Sequence, residues 1–477
     1  MTDSNNSRPR NDGQGENPSK ERSFSFNGEG QNSARDFEKF ALRNLYDSWK
    51  QKYADRFCTA EEAIKSIGNR ANVVFGHSAG VPQVVPAAMA AHYKEFDNVR
   101  IYHMLTFDPG LCYAPEMARS FRHISNFLGA NTRKAVAEDR ADFFPCFFSQ
   151  VPSLFDSAFP VDVAVIQVSR PDRNGNCSFG TACDYTKPAA EKAKIVIAEM
   201  NDQMPYIYGE NYIHISKLTH IVPVSYPLYE VHPVQITDIE RRIGQYCASL
   251  IDDGSTLQMG IGGIPNAVLS FLKDKKDLGI HTEMFSDGII DLVELGVING
   301  SRKTLHRGKL VATFLSGTQR LYDFVHCNSF IDLYPVDYVN DPRVIAQNDN
   351  MVSLNSCIEV DLMGQVASET IGPRHYSGAG GQIDFVRGSA WSKGGKSIIA
   401  MPSTAAGGTI SRIVMHLTPG AAVTTSRNDV HYIVTEYGIA PLKGKTLNER
   451  AENLIAIAHP DFRDSLREAY KNRFDKK

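Results

Sequence analysis

Met259-Gly260-Ile261-Gly262-Gly263-Ile264-Pro265-Asn266-Ala267-Val268 decides the fold. The segment Thr256–Met259 reads as a strand, and the glycines that follow allow a tight turn. Pro265 suits a first helical turn, where its missing N–H would have no partner in any case. The pattern occurs twice. Phe75-Gly76-His77-Ser78-Ala79-Gly80-Val81-Pro82-Gln83-Val84-Val85 also follows a strand, at 72–76, and leads into a helix expected at 82–93. A further strand succeeds each helix, at 99–105 and at 279–284. Strands alternating with helices imply a mostly parallel sheet. The chain therefore reads as α/β, with two similar open, mostly parallel α/β domains. Pro223, Pro227 and Pro233 mark an irregular stretch between them. The expected division is a tail at 1–35, an N-terminal domain at 36–228 and a C-terminal domain at 229–477. Only the second copy carries a Glu on its second strand, which points to an active site at the interface of the halves.

Further strands are expected at 161–168, 195–199, 309–314, 351–354, 397–401, 421–424 and 431–435. Helices are expected at 36–53, 238–251 and 448–457. Thr59 and Glu62 have the spacing of a capping box.

A length of 477 residues exceeds one ordinary domain. The chain is 42% hydrophobic and 22% charged, with a net charge of -3. That is the balance of a soluble enzyme, and no basic field argues for nucleic acid. The longest apolar runs are far too short to span a membrane. Residues 1–35 are rich in Asn, Ser, Gly, Arg and Glu. Such a segment is expected to be disordered, and it has neither the apolar core of a signal peptide nor the acid-poor composition of a transit peptide. The eight cysteines form no CxxC pair, and Cys177 and Cys183, the closest two, have no nearby His. This fits reduced thiols in the cytoplasm better than disulfides or a zinc site.

Ile280-His281-Thr282-Glu283-Met284-Phe285-Ser286-Asp287-Gly288 places one carboxylate at the mouth of a sheet, where α/β proteins gather ligands. Glu283 could act as base, metal ligand or nucleophile, or be a capping or ion-paired residue. No His-x3-His or His-Glu-x2-His spacing supports a metal. Two loops could offer backbone N–H groups to an oxyanion or a cofactor: Gly260–Pro265 and Ser377-Gly378-Ala379-Gly380-Gly381-Gln382-Ile383-Asp384-Phe385. Tight or flexible turns are the plainer reading of both. Ala406-Gly407-Gly408-Thr409-Ile410-Ser411-Arg412 could meet a phosphate or be a solvated turn. Gly76-His77-Ser78-Ala79-Gly80 matches the Gly-x-Ser-x-Gly elbow of hydrolases literally. It lacks an evident acid partner, and the second copy has no serine in the corresponding loop.

Taken with Thr424-Thr425-Ser426-Arg427-Asn428-Asp429 and Val434-Thr435-Glu436-Tyr437-Gly438-Ile439-Ala440, the Gly260–Pro265, His281–Gly288 and Ser377–Phe385 segments resemble the acetyl-CoA hydrolase/transferase family. The likeness runs from about residue 45 to 472, closest to members that move CoA among 4-hydroxybutyrate, butyrate and acetate. The resemblance implies an acyl-CoA:carboxylate CoA-transferase working through an acyl-glutamyl anhydride and a glutamyl-CoA thioester. By position, Glu283 matches the nucleophile and Asn340 an Asn near the reacting carbonyls; the bland reading of Asn340 is a turn residue before Asp341-Pro342. Gly260, Ile261, Gly262, Gly263, Ile264, Gly380 and Gly381 fall in the CoA and oxyanion region. Ile358 matches a CoA neighbour, with a core aliphatic as the alternative. The family implies acyl-CoA and short-chain carboxylates as partners, no prosthetic group, no metal, no membrane, and a homodimer or homotetramer. Rival readings are an acyl-CoA hydrolase and a catalytically silent CoA-binding protein.

Overall fold

The computed structural model describes residues 43–107 and 111–474. The expected tail and the first part of the helix expected at 36–53 lie outside the described residues; 43–52 are helical.

The first sheet has seven parallel strands. Asn72–Phe75 lies inside it, with Val99–Tyr102, Phe121–Ser125 and Ala141–Phe143 following on one side. Val163–Val168, Ile195–Asn201 and His220–Val224 follow on the other. The second sheet repeats this order. From Thr256–Met259 the chain builds Gly279–His281, Leu310–Ala312 and Ile331–Leu333 to one side, then Met351–Ser356, Lys396–Ala400 and Tyr432–Thr435 to the other. An antiparallel strand, Gly438–Pro441, finishes one edge. Tyr208–Gly209 finishes the other, so one short strand from the first half of the chain joins the second sheet. The echo seen in two glycine turns thus extends to the complete winding of two doubly wound sheets.

Burial explains the composition of the strands. Every residue of Val163–Val168 is buried, as is usual where helices cover both faces of a parallel sheet. Val73, Phe75, Val85, Met89, Ile101 and Phe121 join the first sheet to its helix Val84–Ala91. Ile399, Ile433, Leu454 and Ile455 do the same for the second sheet and the helix Leu447–Ala456.

Four expectations are corrected. Residues 421–424 are not a strand: Thr424 Oγ1 accepts the Ser368 N–H and the Ala422 N–H goes to Thr370 Oγ1, leaving only an isolated bridge at Thr425. The strand expected at 279–284 is broken in two, and so is 309–314. Pro223, read as part of an irregular stretch, sits in a strand, His220–Val224; because that strand is an edge, the missing N–H costs no ladder bond.

Each sheet has a switch point where the winding reverses, and ligands of such folds bind outside the strand ends there. In the first sheet the place is filled. The fully buried Glu199 carboxylate accepts the N–H groups of Gln83, Val84 and Val85 at 3.0, 2.8 and 2.6 Å, capping the helix Val84–Ala91, and the Tyr226 hydroxyl donates to it as well. The second sheet leaves its switch point open. Glu199→Ala strips three amides and a phenol of their acceptor and is expected to cost about 3 kcal/mol or more. Thermal unfolding should show a loss of several degrees and a smaller loss for Glu199→Gln; an unchanged midpoint would mean that the amides find other partners.

Candidate active site

The break in the strand after His281 is what exposes Glu283. Gly279–His281 pairs with Leu310–Ala312, and Met284–Phe285 pairs with Phe314–Leu315. Between them the Thr282 hydroxyl bonds the carbonyls of Met259 and Met284, at 3.1 and 2.9 Å. The Glu283 carbonyl accepts from the amides of Thr313 and Phe314, at 3.0 and 3.2 Å. The backbone is thereby pinned, and the side chain enters a cleft of about 270 Å³ at the open switch point. Gln258 to Ile261 line it from one strand end and Leu354 to Ser356 from the next, with Gly378 to Gln382 across from them.

Glu283 Oε2 accepts a 2.8 Å hydrogen bond from Asn340 Nδ2, and the Gly381 N–H also donates to the carboxylate. No Lys, Arg or His among the described residues pairs with it, so the ion-paired reading fails. Burial pushes its pKa up to about 7; the Asn340 bond opposes this, the charge of Asp184 adds to it, and the Gly381 amide opposes it. A Cβ on Gly381 would stand 2.0 Å from Glu283 Oε2 and 2.3 Å from Asn340 Nδ2, so only glycine lets the amide come this close.

Asn340 ends the helix Val336–Val339 and is fully buried, with its Oδ1 lacking a hydrogen-bond partner. His281, considered beside Glu283 as a metal ligand, does something else. Its Nε2–H donates to the Val339 carbonyl at 2.8 Å, and burial holds its pKa near 3, so the ring is neutral. It fixes the backbone from which Asn340 projects.

The glycine loop is held by the first half of the chain. Leu128 N–H donates to Ser377 O at 3.2 Å, and Phe148 N–H to Gly380 O at 3.1 Å. Ser149 donates to Asp384 from its amide at 3.1 Å and its hydroxyl at 2.9 Å. Gly380 has a φ of +53°, and a Cβ on Gly378 would lie 2.0 Å from Asn126 O. Asp384 is a second carboxylate beside the cleft and is buried, pushed up to about 7 chiefly by burial, with Ser149 opposing and the Glu283 charge adding. The spacing of the motif did not single it out, because an acid in a first helical turn reads as a cap.

Gly260 and Ile261 line the same cleft as Glu283, as do Gly380 and Gly381. Ile261, Gly262, Gly263 and Ile264 line an adjoining cleft of about 240 Å³, which Arg412 also borders. A third, of about 130 Å³, contains Val231 to Val234 and again Ile261. The three meet at Ile261, as a long ligand would require. Gly262, with φ +121°, makes the turn into the helix Gly263–Ser270. Ile358 does not line these clefts. It is half-buried just past the strand Met351–Ser356, with its N–H bonded to Ala367 O at 2.8 Å.

The hydrolase-elbow reading of residues 76–80 fails on geometry. His77 does have an acid partner, Asp184, 2.7 Å away and 107 residues on, which the sequence did not reveal. Asp184 Oδ1 is engaged by the amides of Tyr185 and Thr186 and the Thr186 hydroxyl. Ser78 Oγ, however, is buried without a hydrogen bond to the imidazole or to any other group. All eight cysteines are free, and no group of three or more potential metal ligands occurs among the described residues. No helix of the described residues is long and apolar enough to cross a membrane.

Two family profiles match the chain: the acetyl-CoA hydrolase/transferase N-terminal domain over residues 42–231 and the acetyl-CoA hydrolase/transferase C-terminal domain over 317–470. The 4-hydroxybutyrate coenzyme A transferase of Clostridium kluyveri is 56% identical over 427 residues, covering 89% of this chain and 100% of that one. The butyryl-CoA:acetate CoA-transferase of Anaerostipes caccae is 38% identical, covering 88% and 96%. The crystal structure of 4-hydroxybutyrate CoA-transferase from Porphyromonas gingivalis, 50% identical, superposes with a TM-score of 0.78 over 89% of this chain and 100% of that one.

The raised pKa of Glu283 has a stability consequence. A carboxyl whose pKa rises on folding stabilises the protein in its protonated form, and that stability drains away as pH climbs from the unfolded value near 4.5 through about 7. Glu283→Gln keeps the neutral form at every pH. Its thermal midpoint should therefore exceed that of the wild type by a margin that grows between pH 5 and 8, reaching about 2–4 °C. A margin that shrinks over this range would show that the carboxylate is not desolvated.

Proposed function

We propose, from the premise that this chain belongs to the acetyl-CoA hydrolase/transferase family, that Glu283 is the covalent nucleophile of its CoA transfer. The enzyme is a CoA-transferase whose donors are the CoA thioesters of short-chain carboxylic acids, among them 4-hydroxybutyrate, butyrate and acetate, and whose acceptors are such acids as free carboxylates. The relatives' activities support that class. The observation that carries the mechanism is a carboxylate held by two N–H donors, without a cation, in a cleft at a switch point.

The chemistry runs as a thioester exchange. A Glu283 carboxylate oxygen attacks the thioester carbonyl of the acyl-CoA. The tetrahedral intermediate collapses with loss of CoA thiolate, giving an acyl-glutamyl anhydride. The thiolate then attacks the glutamyl carbonyl and expels the first acid as its carboxylate, leaving CoA on Glu283 as a thioester. An acceptor carboxylate reverses both steps. No proton is gained or lost overall, and the acyl bond energy is kept. Each tetrahedral intermediate bears an oxyanion. The Gly381 N–H and Asn340 Nδ2, already at the carboxyl group, are the donors within reach; removing one such donor costs about 2.7–4 kcal/mol. Desolvation favours the reaction twice: a poorly solvated carboxylate is a stronger nucleophile, and an anhydride away from water escapes hydrolysis.

Gly260 to Ile264 and Gly380 line the path for CoA, with Arg412 bordering one of its clefts. The free thiols support a cytoplasmic setting, and the family resemblance supports a homodimer or homotetramer.

Thioester disappearance should require an added short-chain acid, and Glu283→Ala should lower transfer by at least about 10³-fold. Loss of thioester at the same rate without an acceptor acid would favour a hydrolase, and full transfer by Glu283→Ala would eliminate the covalent scheme. Because only the ionised form attacks, kcat/KM should rise with pH through about 7. A flat profile from pH 5.5 to 8.5 would contradict the assignment.

A further inference from the structure

Asn340 faces two carboxylates. It donates to Glu283 at 2.8 Å, and its side chain also interacts with Asp384. Asp384 is enclosed, only 2% exposed, Glu283 is half-buried at the cleft, and no cation among the described residues pairs with either. The helix after Asn340 meets the helix bearing Asp384: Pro342–Ile345 packs on Gln382–Trp391, in whose first turn Asp384 lies. Asp384 is in turn gripped by the amide and hydroxyl of Ser149.

A buried carboxamide can turn over and exchange its N–H₂ for its oxygen. Turned the wrong way, Asn340 would present Oδ1 to the Glu283 carboxylate and repel it. Two acceptors on one side prevent this: an N–H₂ has two hydrogens to give, whereas a carbonyl facing two carboxylates has none. The Oδ1 left without a donor is the cost of the orientation observed. When Glu283 becomes an anhydride or a thioester it loses its charge and its hold on the amide weakens. Asp384 does not change covalently through the cycle.

We infer that Asp384 is a positioning residue, which keeps the Asn340 N–H directed at the Glu283 carboxyl through the covalent stages of the reaction, clamped in place by Ser149. The inference rests on the proposed role of Glu283. It makes the glycine loop and the segment around Ser149, distant in the chain, parts of one device for orienting a single amide.

The test is Asp384→Asn, whose side chain has nearly the same shape. Lost orientation should lower kcat by about 10–100-fold, within the range for a misdirected oxyanion donor, with the KM for acyl-CoA within about twofold of wild type. The midpoint of the pH rise in kcat/KM should also move to lower pH, because a neighbouring like charge is gone. The other titratable groups near the pair, Asp184, His77 and Cys146, are unchanged in this variant. Ser149→Ala removes one clamp bond and leaves the carboxylate, and should keep more than half of the activity while lowering the thermal midpoint. Asp384→Asn with wild-type kcat and pH profile would overturn the inference. So would a loss of activity matched by Ser149→Ala with no shift in the profile, since that is what a purely structural acid would give. Glu283→Ala assayed in parallel separates the two readings. If that variant transfers CoA, the covalent scheme fails; if it is inactive and Asp384→Asn is not, only the positioning role fails.

Discussion

The structure turns on one carboxylate that is denied a counter-charge. Taking an acid out of water is costly unless something nearby stabilises the anion. At Glu283 that something is two N–H groups, one from a backbone that must be glycine and one from a side-chain amide. An arginine in their place would stabilise the anion far more and make it a poor nucleophile. Hydrogen bonds without a full positive charge leave the acid near neutrality, poised between a stable anion and a reactive one. Much of the surrounding architecture follows: the broken strand that releases the side chain, the neutral His281 that steadies the end of the Asn340 helix, and the clamps that bring Gly381 close.

Duplication explains where this happens. Both sheets wind in the same order and so have the same crevice, yet the two crevices are treated differently. The first is plugged by Glu199, a carboxylate used as a permanent cap for helix amides. The second is kept open and lined with glycine. A carboxyl group thus serves structure in one copy and, in our reading, chemistry in the other. The difference lies in what faces each: a helix end that satisfies Glu199 fully, and for Glu283 a cleft with room for a thioester.

The parts legible in the sequence were those encoded locally. The strand Thr256–Met259 and its turn could be read because the short segment, the glycines and Pro265 are contiguous, and the helices Asp238–Ser249 and Leu447–Ala456 because their residues repeat with a helical pattern. Glu283 stood out as the acid between such signals. The rest depends on partners far apart in the chain. Asn340 is 57 residues from Glu283, in what looks like an ordinary turn, and only the family resemblance brought it forward. Asp184 reaches His77 across 107 residues and Asp384 reaches Ser149 across 235. No periodicity records such pairings. The strand break at Glu283 was also invisible, since it is set by amides of the neighbouring strand rather than by a breaker residue. Residues 421–424 misled in the opposite sense: the hydroxyl of the β-prone Thr424 is spent on another loop, accepting the Ser368 N–H and donating to the Glu369 carboxylate.

If a carboxylate stabilised only by neutral donors is the heart of the enzyme, it must carry CoA covalently in mid-cycle. The most direct measurement is mass spectrometry of the peptide containing Glu283 after brief incubation with an acyl-CoA and no acceptor. The account predicts a CoA adduct on the Glu283 carboxyl that vanishes on addition of a short-chain carboxylate. An unmodified Glu283 under turnover conditions, or an adduct on another residue, would contradict it.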